Sequence, residues 1–106
     1  MPGACTIFAT AGSETEAEDI AGALLAEKLA ACVQMTPVSS RYVWKGGLAR
    51  EEEVLLLIKT RAELFEQVRA KIRAMHSYET PEILMLPVSQ GDGDYLAWLA
   101  GSTRAA

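Results

Sequence analysis

Hydrophobic and polar positions follow two different periods along this chain, and the changes between them predict seven elements in the order β-α-β-β-α-β-α. Short β-prone runs at 5–10 and 82–88 predict the first and last strands. Apolar residues that recur every three or four positions predict helices over 14–30 and 61–75, and a shorter helix at 95–99. The first six elements match the split βαβ order, so we expect an α+β, ferredoxin-like βαββαβ domain with a short C-terminal helix.

Capping signals support the two longer helices. Ser13 with Glu16, and Thr60 with Glu63, have the spacing of a capping box, in which side-chain oxygens accept hydrogen bonds from free backbone N–H groups. Lys28 is expected close to the end of the first helix, where a cation interacts favourably with the helix dipole.

The middle of the chain predicts a hairpin that is long for a domain of this size. β-prone residues fill 32–44, Gly46 and Gly47 predict the turn, and the return strand is expected over 50–60. Thirteen residues span roughly 43 Å, whereas a compact chain of this length is roughly 33 Å across. Pro37 is expected to mark a bend or bulge. We expect the hairpin to project and to pair with another subunit; a hairpin that curls back on a monomer is the alternative.

The apolar run at 54–58 also favours an oligomer. A strand with successive apolar residues is covered on both faces. Two helices cover one face of the predicted sheet, and one short terminal helix is too small to cover the other. The pattern does not set the number of subunits.

Composition and charge narrow the function. A length of 106 residues suits a single domain spanning 1–106. A net charge of −4 argues against nucleic-acid binding and against an anionic membrane surface. No segment has the pattern of a signal peptide or a membrane span. Cys5 and Cys32 lack the spacing of a disulfide framework or metal site, so we interpret both as buried free thiols of a cytoplasmic protein.

The candidate chemistry is concentrated after the second long helix. His76 is the single histidine, and Tyr78, Glu79 and Glu82 follow it, so a nitrogen and carboxylate oxygens share one loop. Imidazole and carboxylate suit copper or another divalent cation. Taken alone, the residues favour a structural alternative, in which His76 ends the helix and interacts favourably with the C-terminal end of the helix dipole.

Elsewhere the polar and aromatic residues favour structural roles. We interpret the acidic run 51–53 as a solvated strand end, with a metal-binding patch as the alternative. Tyr42 and Trp44 are interpreted as interface anchors more than pocket residues. Lys59 is compatible with a partner contact or an anionic ligand. No catalytic motif is present, so we predict a protein that is not an enzyme and has no organic cofactor.

Six motifs, in order and at matching spacing, resemble the CutA family over about residues 6–100. They are EKLAACV at 27–33, YVWKG at 42–46, EVLLLIKT at 53–60, HSYETPEI at 76–83, LPV at 86–88 and DYLAWL at 94–99. The resemblance implies a ferredoxin-like homotrimer built through the long hairpins and associated with divalent-cation tolerance, with copper the metal most often named. The family shares this build with the PII signalling proteins, so a small-effector-binding trimer is one alternative and a structural scaffold another.

The resemblance also implies a copper site that includes His76 and Glu82. This chain departs from the family pattern at two positions. Ala9 stands where members with the proposed site have a strand 1 cysteine, and Met75 stands where some have a second histidine. Met75 also continues the apolar stripe of its helix. We therefore expect Cu(II) to bind more weakly here than in relatives that have the cysteine.

Overall fold

The structure, a computed structural model that describes residues 3–106, is an α+β domain with the predicted order of elements. These are β1 Ala4–Ala11, α1 Glu14–Ala26, β2 Cys32–Trp44, β3 Gly47–Arg61, a 3-10 turn Ala62–Leu64, α2 Phe65–Met75, β4 Ile83–Pro87 and α3 Gly93–Gly101. The strands form one antiparallel sheet in the order β2-β3-β1-β4, which confirms the ferredoxin-like topology. Within residues 3–106, no helix combines the length and apolar character needed to cross a bilayer.

One face of the sheet carries the core. Alternate side chains of β1 and β3 point to this side, as the period of a strand requires, and α1 and α2 cover them. The fully buried residues include Cys5, Ile7, Ile20, Leu24, Leu56, Ile58, Val68 and Ile72. Met75 packs against this cluster, as its place in the helical stripe predicts. Burial of these side chains removes apolar surface from water and is the main stabilising term.

The opposite face of the sheet is largely open within one chain. Phe8 of β1 lies between Leu57 of β3 and Leu84 of β4 in the ladder, and Leu84 is 57% exposed. The segment that follows α3 reaches one end of the sheet, where Arg61 Nε donates to Thr103 Oγ1 at 2.9 Å. The apolar run predicts that this second face is buried, but a single subunit leaves it uncovered.

α1 ends at Ala26, so the prediction that it runs to residue 30 was wrong. Lys28 has a φ of 56°, in the left-handed region, and the N–H of Leu29 bonds the carbonyl of Leu24 at 2.9 Å. This is the long-range bond of a Schellman motif, which terminates helices. At the other end of α1, Ser13 Oγ accepts from the N–H of Glu16, so the predicted N-cap is confirmed.

The capping box predicted at Thr60 was wrong. The Thr60 hydroxyl donates to the carbonyl of Leu29 at 2.6 Å, and α2 begins after the 3-10 turn without a side-chain cap. Both groups are buried, and a buried carbonyl without a partner is costly. The Thr60 hydroxyl therefore makes a tertiary contact instead of the helix cap that the local pattern predicts.

The hairpin projects as expected, and the molecule measures 44 × 26 × 21 Å. Its turn is centred on Lys45 and Gly46, with φ of 50° and 80°, instead of on the two glycines. Positive φ at both central residues is the signature of the primed turn that matches strand twist. Pairing continues without a bulge through Pro37, opposite Val54, so the predicted bulge is absent. β2 is an edge strand, where proline is tolerated.

Candidate functional site: the loop between α2 and β4 and its acidic cleft

The predicted ligands His76 and Glu82 lie at the two ends of one loop, and β1 brings these ends together. His76 Nε2 lies 2.6 Å from the carbonyl oxygen of Thr10. The residue after Glu82, Ile83, pairs with Ala9 in the sheet. Both predicted ligands therefore lie beside the same end of β1, with the intervening loop crossing over it.

Both ring nitrogens of His76 have protein partners. A carbonyl oxygen only accepts, so Nε2 carries the hydrogen and donates to Thr10, which leaves Nδ1 to accept from the N–H of Tyr78 at 3.0 Å. The side chain is fully buried. His76 occupies the C-cap position of α2, but its ring fastens the loop to β1 instead of the helix carbonyls. In this arrangement no ring nitrogen is free to bind a metal.

Glu16 fastens the same loop to the start of α1. Its two carboxylate oxygens accept from the N–H of Gly12 at 2.9 Å and from that of Ser77 at 2.7 Å. Partial burial would raise the pKa of Glu16, but these hydrogen bonds and the nearby His76 outweigh it and hold the pKa below its ordinary value of 4.5. The ionised carboxylate is therefore the form that stabilises the loop.

Replacing Glu16 with glutamine is expected to lower the free energy of unfolding by about 1–3 kcal/mol at pH 7, since the amide cannot accept at both positions. The folded pKa lies below the unfolded value, so the stability from the carboxylate is complete above about pH 4.5 and is lost as pH falls through the folded pKa. Urea unfolding at pH 7 and at pH 3 should show the difference between wild type and Glu16→Gln shrinking at the lower pH. Glu18→Gln, at an exposed position of the same helix, is the control. A difference that stays constant with pH would contradict this role.

Tyr78 joins the loop to β3. Its hydroxyl donates to Glu53 Oε2 at 2.9 Å. The pKa of Tyr78 is raised, first by burial and then by its hydrogen bond to Glu53 and by the charge of that residue. The ring passes so close to Gly12 that a Cβ there would lie 3.1 Å from the Tyr78 hydroxyl. Glycine at position 12 therefore leaves the space in which the phenol reaches Glu53.

An open cleft of about 740 Å³ lies between the outer half of the hairpin and this loop. Its lining includes Thr10, Ser40, Arg41, Tyr42, Trp44, Glu51, Glu53, Tyr78, Glu79 and Glu82. The interpretation of 51–53 as a solvated strand end was wrong for Glu53, which is only 8% exposed. Tyr42 and Trp44, interpreted mainly as interface anchors, line the cleft within one chain. The sequence pattern did not single out Glu53 within its acidic run, because its partner Tyr78 is 25 residues away and only the fold brings the two together.

The donor set of one chain does not fit a resident metal ion. Among residues 3–106, no three His, Cys, Asp or Glu side chains come close enough to hold one. Glu82 is exposed in the cleft, whereas His76 is buried beneath it. Ala9 is buried on the helix side of the sheet and offers no donor atom.

The two thiols differ more than the sequence predicts. Cys5 is fully buried, as expected, and burial raises its pKa to about 11, which keeps it protonated at neutral pH. Cys32 is only partly buried, so its interpretation as a buried thiol was wrong.

Lys59, which lies opposite Cys32 in the ladder, donates to Gln34 Oε1 at 2.7 Å.

The sheet order, the two helices on one face, the projecting hairpin and the acidic cleft beside it define a small ferredoxin-like α+β protein with a long β2–β3 hairpin. Residues 5–102 match the family model described as CutA1 divalent ion tolerance protein. The chain belongs to this family, and the resemblance found in its motifs is confirmed.

Relatives and solved structures agree with this assignment. The divalent-cation tolerance proteins CutA of Citrobacter koseri and Salmonella newport are each 43% identical over 105 residues, covering 98% of this chain and 91% of the relative. The crystal structure of CutA1 from Oryza sativa superposes with a TM-score of 0.95 at 36% identity, covering 100% of this chain and 97% of that one. CutA from Archaeoglobus fulgidus, described as periplasmic, gives 0.92 at 41% identity, covering 93% and 97%.

Proposed function

We propose that this protein serves divalent-cation tolerance as a homotrimer that binds a divalent cation, Cu(II) in particular, with His76 and Glu82 as ligands. The observation that carries the proposal is that both residues lie at one end of β1, beside a cleft lined by carboxylates. The protein acts by binding and not by catalysis. It works in the cytoplasm without an organic cofactor and without nucleic-acid or membrane partners.

Ligation by His76 requires a local rearrangement. The lone pair of Nδ1 accepts from the N–H of Tyr78, so a copper ion must displace this donor. Leaving a buried N–H without a partner costs about 1–3 kcal/mol. Binding is therefore weak, and ligands beyond His76 and Glu82 come from water or from a neighbouring subunit. This agrees with the loss of a thiolate donor at Ala9.

Three exposed surfaces support assembly. The open sheet face exposes Leu84 and Leu86, the hairpin tip exposes Val43 and Leu48, and β2 has an unpaired edge. Exposed apolar patches and free strand edges favour association with another chain. These surfaces lie on different sides of the sheet. Each copy can therefore use its strand edge and its hairpin tip to contact different neighbours, as a closed ring requires. The number three comes from the family resemblance.

Native mass spectrometry with Cu(II) titration tests the proposal. The wild type should appear as a trimer that takes up discrete copper ions. His76→Ala and Glu82→Gln should each weaken uptake roughly tenfold or more, which corresponds to about 1.4 kcal/mol.

Glu79→Gln is the matched control, because Glu79 lines the same cleft on the same loop and loses the same charge. Uptake that is unchanged in His76→Ala, or equally reduced in Glu79→Gln, would refute the proposed ligand pair. A trimer without copper would refute the metal role and leave the assembly intact.

A further inference from the structure

Access to the His76 ring depends on the loop that covers it. The side chain is fully buried, Nε2 donates to the carbonyl of Thr10, and Nδ1 accepts from the N–H of Tyr78 at 3.0 Å. Thr10 lies in β1 and pairs with Leu55 of β3, so its carbonyl is fixed by the sheet. The Tyr78 amide belongs to a loop, and it is therefore the partner that can move away from the ring.

The Tyr78 amide is held in place by contacts on both sides along the chain. On one side, the carboxylate of Glu16 accepts from the N–H of Ser77 at 2.7 Å and from that of Gly12 at 2.9 Å. On the other side, the Tyr78 hydroxyl donates to Glu53 Oε2 at 2.9 Å. Hydrogen bonds to an ionised carboxylate are stronger than those between neutral groups. The amide can therefore leave Nδ1 only when these contacts weaken.

The two carboxylates connect the loop to different elements. Glu16 lies in the first turn of α1, whereas Glu53 lies in β3. Glu16 Oε2 is 3.9 Å from His76 Nδ1, beyond hydrogen-bond distance, so it acts on the ring through the Ser77 backbone as a positioning residue. All these contacts are made within one chain. They need no free surface and are compatible with a second subunit on the open face of the sheet.

This arrangement defines a closed and an open state of the segment above His76. We propose that residues 77–78 form a latch, held closed by Glu16 and by the Tyr78 hydroxyl, and that copper binds His76 only when the latch is open. A ligand that binds only the open form has an apparent affinity that falls with the population of that form. Weakening the latch should therefore expose His76 and tighten copper binding. The inference rests on the proposed function for its ligand, whereas opening of the latch is measurable without metal.

Acylation of His76 by diethyl pyrocarbonate measures the opening of the latch in the metal-free protein. The reagent transfers an ethoxycarbonyl group to a ring nitrogen with a free lone pair, which the closed state does not offer. His76 is the single histidine, so peptide mass spectrometry follows one site. Glu16→Gln removes one of two acceptors, and Tyr78→Phe removes the hydroxyl but keeps every carboxylate. Each variant should react at least about threefold faster than wild type.

Two control variants separate latch opening from a general loss of stability. Leu24→Ala weakens the core without touching the loop, and Glu18→Gln removes a carboxylate from an exposed position of α1. Both should react at the wild-type rate under conditions in which far-UV circular dichroism shows every variant to be folded. Equal acceleration in Leu24→Ala, or a wild-type rate in Glu16→Gln or in Tyr78→Phe, would overturn the inference.

Native mass spectrometry with Cu(II) then tests the coupling of the latch to the metal. Glu16→Gln and Tyr78→Phe should each bind copper more tightly than wild type, by about the same factor as their gain in acylation rate. Weaker binding in Glu16→Gln would make Glu16 a ligand and overturn its role in the latch. Copper uptake with unchanged acylation rates would refute the latch and not the proposed function. Faster acylation without copper uptake in any of the three proteins would refute the proposed function and not the latch.

Discussion

Replacing Leu24 with alanine is expected to lower the free energy of unfolding by about 2–5 kcal/mol. Leu24 lies on the inner face of α1, is fully buried and belongs to the single core cluster. The substitution removes buried apolar surface and leaves a cavity that the surrounding sheet and helices fill only in part. Alanine is the better helix former, so none of the loss comes from helix propensity. Urea unfolding monitored by circular dichroism measures the effect.

The neighbouring residue is a matched control. Leu25 is 42% exposed on the same helix, so Leu25→Ala should change stability by less than about 1 kcal/mol. Both variants must be compared with wild type at one protein concentration, because the proposed assembly would make apparent stability concentration-dependent. Equal losses in the two variants would mean that α1 presents a different face to the sheet.

The double variant Val43→Asp and Leu48→Asp is expected to convert the proposed homotrimer into monomers. These residues face each other across the hairpin and are 75% and 91% exposed in a single chain. If the tip docks on another subunit, two adjacent carboxylates there would be buried without partners, at a cost of several kcal/mol per charge. Light scattering coupled to size-exclusion chromatography measures the change of mass.

A surface change of the same kind separates assembly from net charge. Thr15→Asp adds a carboxylate at an exposed position in the first turn of α1, far from the hairpin tip and favourable for the helix dipole. This variant should keep the mass of the wild type. The far-UV spectrum of the double variant should be native, because the tip contributes no residue to the core. A double variant that keeps the mass of an assembled wild type would show that the tip is not part of the interface.

Local sequence patterns predicted the order of helices and strands but did not predict the contacts within the candidate site. The bounds of β2 were predicted as observed, and the N-cap at Ser13 was recognised from its spacing to Glu16. His76 and Glu82 were named as candidate ligands from their shared loop and from the family resemblance, and their role as ligands stays a prediction. The partner of the His76 ring, by contrast, is the carbonyl of Thr10, 66 residues earlier. A pattern of residues over a short segment cannot predict a contact between residues so far apart in the sequence.

By itself the sequence determined the order of elements, the ferredoxin-like fold, the long hairpin and the family, because periodicity, turn residues and motif spacing are properties of neighbouring positions. The tertiary structure alone decided that Thr60 bonds to Leu29, that Glu53 is buried beneath Tyr78 and that both nitrogens of His76 are engaged. Each of these depends on strand register and on the packing of a loop across β1. A hydroxyl, a carboxylate and an imidazole have several possible partners, and only the folded chain fixes which one lies within hydrogen-bond distance.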